Sequence, residues 1–225
     1  MSWQKIYNRQ IEKKGGLMPF ILSKEKRSAG ALIKRIRNSL PVGSKILEIG
    51  TGTGAIGSLL TKYGFDVIGI DNDIEMIEIA KKSFALFGKP NHAIHLDANA
   101  SIKQFGRQSF DCVITHGMLE HYSDQDISTH LKIQLELAPL AICIVPMKSM
   151  SQEYRSRGFG DERYLPTQTW KKILQKEFTI KSIYGFGFKE TNHKFITEKL
   201  LLSNHFARLL APLCAFNEFW IIQSQ

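Results

Sequence analysis

The chain has 225 residues, a formal net charge of +9 and 43% hydrophobic residues, which suffices for one α/β domain with a substantial core and is short for two. The basicity is local: residues 1–45 hold 11 of the 30 Lys/Arg and 2 of the 21 Asp/Glu, and the rest of the chain is balanced at 19 of each. The longest apolar runs, such as LAPLAICIVPM at 137–147, are too short and too interrupted by proline to cross a bilayer, and the opening MSWQKIYNRQ has no signal-peptide apolar core, so no membrane span and a cytoplasmic location are expected.

In chain order, Ser23 to Leu40 (SKEKRSAGALIKRIRNSL) fits an amphipathic helix capped by Ser23, with Ala29, Leu32, Ile33, Ile36 and Leu40 on one face. Its Lys and Arg are interleaved with apolar residues, the pattern of a solvated helix face; a nucleic-acid, anionic-lipid or acidic partner is the alternative. KILEIG (45–50) reads as a strand entering a glycine loop, AIGSLLTKYG as a helix stopped at Gly64, and FDVIGID (65–71) as a second strand. Asp73 caps a helix IEMIEIAKKSFALFG, followed by a strand HAIHLD (92–97) and a short turn or helix near 99–106. SFDCVITH (109–116) is the fourth strand, SDQDISTHLKIQLEL (123–137) a helix and AICIVP the fifth strand. This alternation predicts a doubly wound α/β sheet of parallel strands, with ligands at the strands' carboxyl ends.

Beyond Pro146 the pattern loosens. Residues 148–166 read as a loop over the site, TQTWKKILQKEF as a helix, and FTIKSIYGFGF (178–188) and AFNEFWIIQSQ (215–225) as strands flanking a helical insertion at 189–214. That insertion is expected to close the substrate pocket, to form a homodimer contact, or both. Cys112, Cys143 and Cys214 are widely spaced with no C-x-x-C pair, which predicts buried reduced thiols rather than disulfides or a zinc site.

The stretch EIGTGTGAIG (48–57) contains two glycine registers, G-x-G-x-x-G from Gly52 and E-x-G-x-G-x-G from Glu48. Because KILEI ends at Gly50, the tight turn begins there, and the dinucleotide register falls two residues late. Glu48 sits near the end of a strand expected to be buried, so it needs a donor or cationic partner. A ligand bearing a sulfonium and an ammonium suits that requirement, directly or through water and backbone donors, whereas a pyrophosphate is repelled. Asp71 ends the second strand, placed to accept ribose hydroxyls. Asp97, followed by the small Ala98, ends the third strand and suits either an adenine amino group or loop capping.

The ordered set ILEIGTGTG, VIGIDND, HLDAN and FDCVITHGMLEHYSD resembles the class I S-adenosylmethionine-dependent methyltransferases, over about residues 44–147. The resemblance implies a Rossmann-like, seven-stranded sheet, mostly parallel with an antiparallel last strand, and S-adenosylmethionine as cofactor, with S-adenosylhomocysteine as product. It implies a single methyltransferase domain over 1–225: an N-terminal helical cap at 1–43, a cofactor-binding core at 44–147, and a lid, closing hairpin and insertion at 148–225. By position, Glu48, Gly50, Thr51, Gly52 and Gly54 hold the cofactor's amino-acid part, Asp71 the ribose, Asn72 and Met76 the adenine surroundings, and Asp97 with Ala98 the adenine edge. His116 and Gly117 lie beside the methionine moiety.

The fourth-strand loop THGMLEHYSD lacks the D-P-P-Y or N-P-P-Y of enzymes that methylate nucleobase amines, and it lacks a Pro-Cys nucleophile. M-L-E-H-Y resembles small-molecule methyltransferases, so a small acceptor methylated at oxygen or nitrogen is expected. Relatives with E-x-x-E-H at this point bind a divalent metal; here Gly117 replaces the first Glu, and no metal is expected. If the acceptor is a hydroxyl, His121 is the candidate catalytic base, since histidine changes charge nearest neutrality. Trp3, Tyr7, Phe20, Tyr154, Phe159 and Tyr164, with Arg155, Arg157 and Arg163, occupy the segments expected to fold over the cofactor; Tyr7, Tyr154, Arg163 and Tyr164 are the candidate substrate residues. An aromatic lid with arginines suits a planar or carboxylated acceptor. The alternatives are an RNA methyltransferase using the basic helix residues Lys24, Lys26, Arg27, Lys34, Arg35 and Arg37, a non-catalytic cofactor-binding partner subunit, and a dehydrogenase.

Overall fold

The computed structural model describes residues 2–147, 162–186, 204–214 and 216–223, without the side chains of Arg27, Ser28 and Asn204. The described strands are β1 (Lys45–Ile49), β2 (Asp66–Asp71), β3 (Ala93–His95), β4 (Cys112–His116), β5 (Ala141–Pro146), β6 (Phe178–Phe186) and β7 (Phe216–Gln223). They form one seven-stranded sheet in the order β3-β2-β1-β4-β5-β7-β6. The first five are mutually parallel, and β7 runs antiparallel between β5 and β6. The chain reverses direction across the sheet between β1 and β4, and the carboxyl ends on either side of that point leave a crevice for a ligand.

Successive strand residues face opposite sides, so each strand feeds two cores. Ile46, Val67, Ile114, Ile142 and Trp220 pack on one face against α2 (Leu17–Lys24), α3 (Gly30–Ser39), α4 (Ala55–Lys62) and α5 (Ile74–Ala85). Leu47, Ile70 and Val113 pack on the other with α6 (Ser101–Phe105) and α7 (Asp124–Leu137). Cys143 and Phe219 extend that face to Trp170 on α8 (Thr167–Leu174). All three cysteines are buried free thiols, and burial pushes Cys112 above the usual thiol range.

The N-terminal segment departs from the expected single helix. α1 (Trp3–Lys13) ends in a turn where Gly16 N–H donates to Ile11 C=O (3.0 Å) and Gly15 N–H to Glu12 C=O (2.9 Å). Gly15 adopts the left-handed conformation (φ +80°) that such a helix end requires. Ser23 is not an N-cap. The chain is helical from Leu17 onward because Phe20 and Ile21 are buried, each burial being worth about 2 kcal/mol. The Ser23 hydroxyl instead donates back to Phe20 C=O at 2.7 Å. A π-turn over Glu25–Ala29 joins α2 to α3, and Gly30 makes it feasible: a Cβ there would lie 2.3 Å from Glu25 O.

Elsewhere the expected elements stand, with trimmed ends. Asp73 caps α5, accepting from Glu75 and Met76 N–H, and Ser123 caps α7. β3 is shorter than expected because Asp97 turns to cap the short helical turn Ala98–Ala100. Among the described residues, no helix is long and apolar enough to cross a membrane. Of the insertion at 189–214, only residues 204–214 are described, including α9 (Asn204–Leu209).

Candidate active site

The loop Gly50–Gly54 leaves β1 and enters α4 with Gly50, Gly52 and Gly54 all at positive φ. The last of these has no room for a side chain, since a Cβ on Gly54 would lie 3.0 Å from Ala80. Thr51 N–H donates to Ile70 C=O (3.0 Å), and Ser83 Oγ donates to Thr53 C=O (2.6 Å), so β2 and α5 hold the loop in place.

Glu48 is 3% exposed and lies beneath this loop. Its Oε2 accepts from Thr51 Oγ1 (2.7 Å) and from Gly57 N–H (3.0 Å), so the loop and the first turn of α4 supply the donors that a buried acid requires. Burial raises its carboxyl to about 7, with the Asp71 charge adding to the rise against the two hydrogen bonds. The consequence for stability has a definite sign. The folded state holds a proton that the unfolded chain releases, so stability falls as pH rises from the ordinary carboxylate range to about 7. Glu48→Gln preserves an acceptor for Gly57 and a partner for Thr51 without the charge. It is expected to raise the melting temperature at pH 8, by at most about 3 kcal/mol in stability, with the advantage vanishing near pH 4. Thermal melts of both proteins across that range check this.

Asp71, at the end of β2, accepts from Gly52 N–H (2.8 Å) through one oxygen and from Asp73 N–H (3.0 Å) through the other. Burial lifts its pKa above the usual aspartate range. A carboxylate has about four acceptor positions, so after these two bonds it still has capacity for the two hydroxyls of a ribose. Asp97 is positioned similarly. Its Oδ1 accepts from Asn99 N–H and the Asn99 amide, both at 2.8 Å, so it caps its loop, and it also lines the crevice.

The crevice is a cavity of about 460 Å³ at the carboxyl ends of β1, β2 and β4. Of the residues expected there, Gly50, Gly52, Asp71, Asn72, Met76, Asp97, Ala98, His116, Gly117, His121 and Tyr7 line it. Glu48, Thr51 and Gly54 are not in its lining and act from underneath through the contacts above. Arg163 and Tyr164 are also absent from the lining. The Arg163 guanidinium donates to Tyr122 C=O (2.7 Å) and Asp124 Oδ1 (2.6 Å), clamping the loop after β4, and the Tyr164 hydroxyl donates to Glu162. Tyr154, Phe159, Arg155 and Arg157 lie outside the described residues.

Sequence reasoning missed Met118, Tyr122 and His130. Tyr122 and His130 pack ring to ring at 4.3 Å. His130 had a legible signal: it lies three residues after the buried Ile127 and four before the buried Gln134, on the inward stripe of α7. Burial lowers the His130 pKa, and burial with the nearby Lys24 ammonium pushes His116 down to about 4, so His116 is neutral and a weak base. Among the described residues, no three His, Cys, Asp or Glu side chains converge on a metal position.

Among the described residues, three aspartates, Asp71, Asp73 and Asp97, line the cavity, and no Lys or Arg does. That lining suits a cationic ligand and repels a pyrophosphate. A family model for a methyltransferase domain matches residues 46–135. Over these residues the chain is similar to the class I S-adenosylmethionine-dependent methyltransferases.

The chain is 28% identical over 93 residues to the ubiquinone biosynthesis O-methyltransferase of Photorhabdus laumondii, a match covering 41% of this chain and 38% of that protein. It is 27% identical over 163 residues to the human mitochondrial ubiquinone biosynthesis O-methyltransferase, covering 68% and 44%. The chain therefore spans less than half the length of these curated relatives. The solved magnesium protoporphyrin IX methyltransferase of Synechocystis PCC 6803, with bound S-adenosylhomocysteine, superposes with a TM-score of 0.61 over 88% of this chain and 82% of that one; at 16% identity the likeness is one of fold. The cofactor of the family is S-adenosylmethionine, and the cavity fits it: Asp71 has acceptor capacity for the ribose, Asp97 for the adenine amine, and Gly50 and Gly52 leave room for the amino-acid part.

Proposed function

We propose that this methyltransferase transfers a methyl group to a hydroxyl oxygen of a small-molecule acceptor, with His121 taking the proton. S-adenosylmethionine supplies an electrophilic methyl on a sulfonium, so the protein's work is alignment, exclusion of water and removal of one proton. The observation that carries the reading is the place of His121 among the cavity's three histidines, His116, His121 and His130. His116, at the end of β4, is held neutral and is a poor proton acceptor. His121 stands at the rim in the turn Leu119–His121, its ring 6.0 Å from Trp3 and edge-on to it. Asp71 and Asp97 orient the nucleoside end, the neutral His116 borders the transfer site without competing for charge, and His121 is positioned to accept from an acceptor hydroxyl.

The RNA reading loses one of its residues: Arg35 is 3% exposed and paired with Glu218, whereas Lys26, Lys34 and Arg37 stay exposed.

The test is release of S-adenosylhomocysteine on addition of small hydroxylated acceptors. His121→Ala is expected to lower kcat by about 10²- to 10⁴-fold with S-adenosylhomocysteine affinity retained. Methyl transfer to RNA alone, or an unchanged kcat in the variant, would overturn the proposal.

A further inference from the structure

The acceptor end of the cavity has a chemistry distinct from the cofactor end. The three aspartates gather around the nucleoside positions, while the other end is bounded by Trp3, Tyr7, His116, Met118 and His121. Trp3 and Tyr7 stack one helical turn apart on α1, with ring centroids 6.1 Å apart and planes 21° from parallel. Tyr7 is braced edge-on by Phe20 (6.4 Å), itself 2% exposed, and Trp3 meets His121 edge-on. The glycine turn that ends α1 and the Tyr7–Phe20 contact fix the helix so that both rings face the crevice. Behind His116 stands a second ring pair, Phe216 at 6.2 Å from His116, stacked on Phe186 at 5.3 Å. Two charges lie near this end: the Lys24 ammonium, which acts on His116, and the Glu120 carboxylate, whose Oε1 would lie 3.5 Å from a Cβ on Gly117.

Resting on the function proposed above, we infer that the acceptor is a hydroxylated planar ring, and that Trp3 is the residue that selects it. A flat ring gains from stacking on Trp3 and Tyr7, where a saturated ring of the same size gains only area burial; aromatic pairs are worth about 0.5–1.5 kcal/mol beyond that area. Trp3 is a specificity residue through direct contact with the acceptor, and it has no part in holding the nucleoside.

The experiment uses protein saturated with S-adenosylhomocysteine and titrated, by saturation-transfer NMR, with 2-naphthol and with its fully saturated analogue decahydro-2-naphthol. The expected result is about two- to tenfold tighter binding of the flat ring, up to about 1.4 kcal/mol. Trp3→Ala should remove that preference and Trp3→Phe should restore it, while the Kd for S-adenosylhomocysteine stays within about threefold, less than 1 kcal/mol. Equal affinity for the two rings, absence of naphthol binding, or a preference that persists in Trp3→Ala would each overturn the inference. Failure of S-adenosylhomocysteine to bind would instead mark the failure of the cofactor reading beneath it.

Discussion

Asp71→Ala is expected to weaken S-adenosylhomocysteine binding by about 3 kcal/mol or more, over a hundredfold in Kd, because charged hydrogen bonds are worth about 1.5–3 kcal/mol each. The loss has two sources. The carboxylate offers acceptors to the ribose hydroxyls, and it also holds Gly52 N–H (2.8 Å) and Asp73 N–H (3.0 Å), which set the glycine loop and the start of α5. Asp71→Asn disturbs both at once. An amide keeps one acceptor but turns a donor toward one of those N–H groups, so it should bind nearly as poorly as alanine. Calorimetric titration of the two variants, with circular dichroism to show that the fold remains, gives the answer. Near-native affinity in either would remove Asp71 from the site.

The largest effect on stability is expected at the ion pair between α3 and β7. Arg35 and Glu218 are 3% and 0% exposed, and they meet through two parallel bonds, one of them Nε to Oε2 at 2.8 Å. The Tyr184 ring lies 5.0 Å from the Arg35 guanidinium, and Trp220 Nε1 approaches Glu218 at 3.5 Å. Removal of one partner strands a charge in the core, and Arg35→Ala or Glu218→Ala is expected to cost about 3–5 kcal/mol. The double replacement Arg35→Met with Glu218→Leu exchanges the pair for apolar volume and should recover most of that loss, since desolvation offsets much of a buried pair's attraction. Urea melts of the four proteins test the coupling. Single variants as stable as the wild type would mean that the pair is solvated in solution.

This ion pair marks the limit of what the sequence discloses. The alternating strand and helix patterns, the caps at Asp73 and Ser123 and the closing antiparallel pair are local signals, and the structure reproduces them with ends trimmed by a few residues. Arg35 reads as solvated because helical periodicity places charge relative to its own helix only; its partner lies 183 positions away on the last strand. The same reason hid the donors of Glu48. An acid in a buried strand announces that it needs partners, and the candidate considered was a ligand, but Thr51 and Gly57 already supply hydrogen bonds once the loop folds back.

The start of α2 was misplaced because Ser23 carries an N-cap's chemistry, whereas burial of Phe20 and Ile21 extends the helix past it. In the site, glycines and aspartates were legible since their roles depend on the backbone of one strand-loop-helix unit. Met118 and Tyr122 were not, because the loop after β4 brings them to the crevice only through packing, while His130 was legible only from its place on the inward stripe of α7. Arg163 looked like a substrate residue by composition, and its actual contacts, to Tyr122 and Asp124, follow from how residues 162–165 run beside the loop after β4.

The most direct test of the account is calorimetric titration of the purified protein, first cleared of carried-over ligand, with S-adenosylhomocysteine and separately with NAD. A cavity walled by Asp71, Asp73 and Asp97, with no lysine or arginine among its described lining residues, predicts saturable binding of S-adenosylhomocysteine at one site per chain and no heat with NAD. Binding of NAD without S-adenosylhomocysteine would contradict the account, moving the glycine register to Gly52 and removing every ligand assignment built on Gly50 and Asp71.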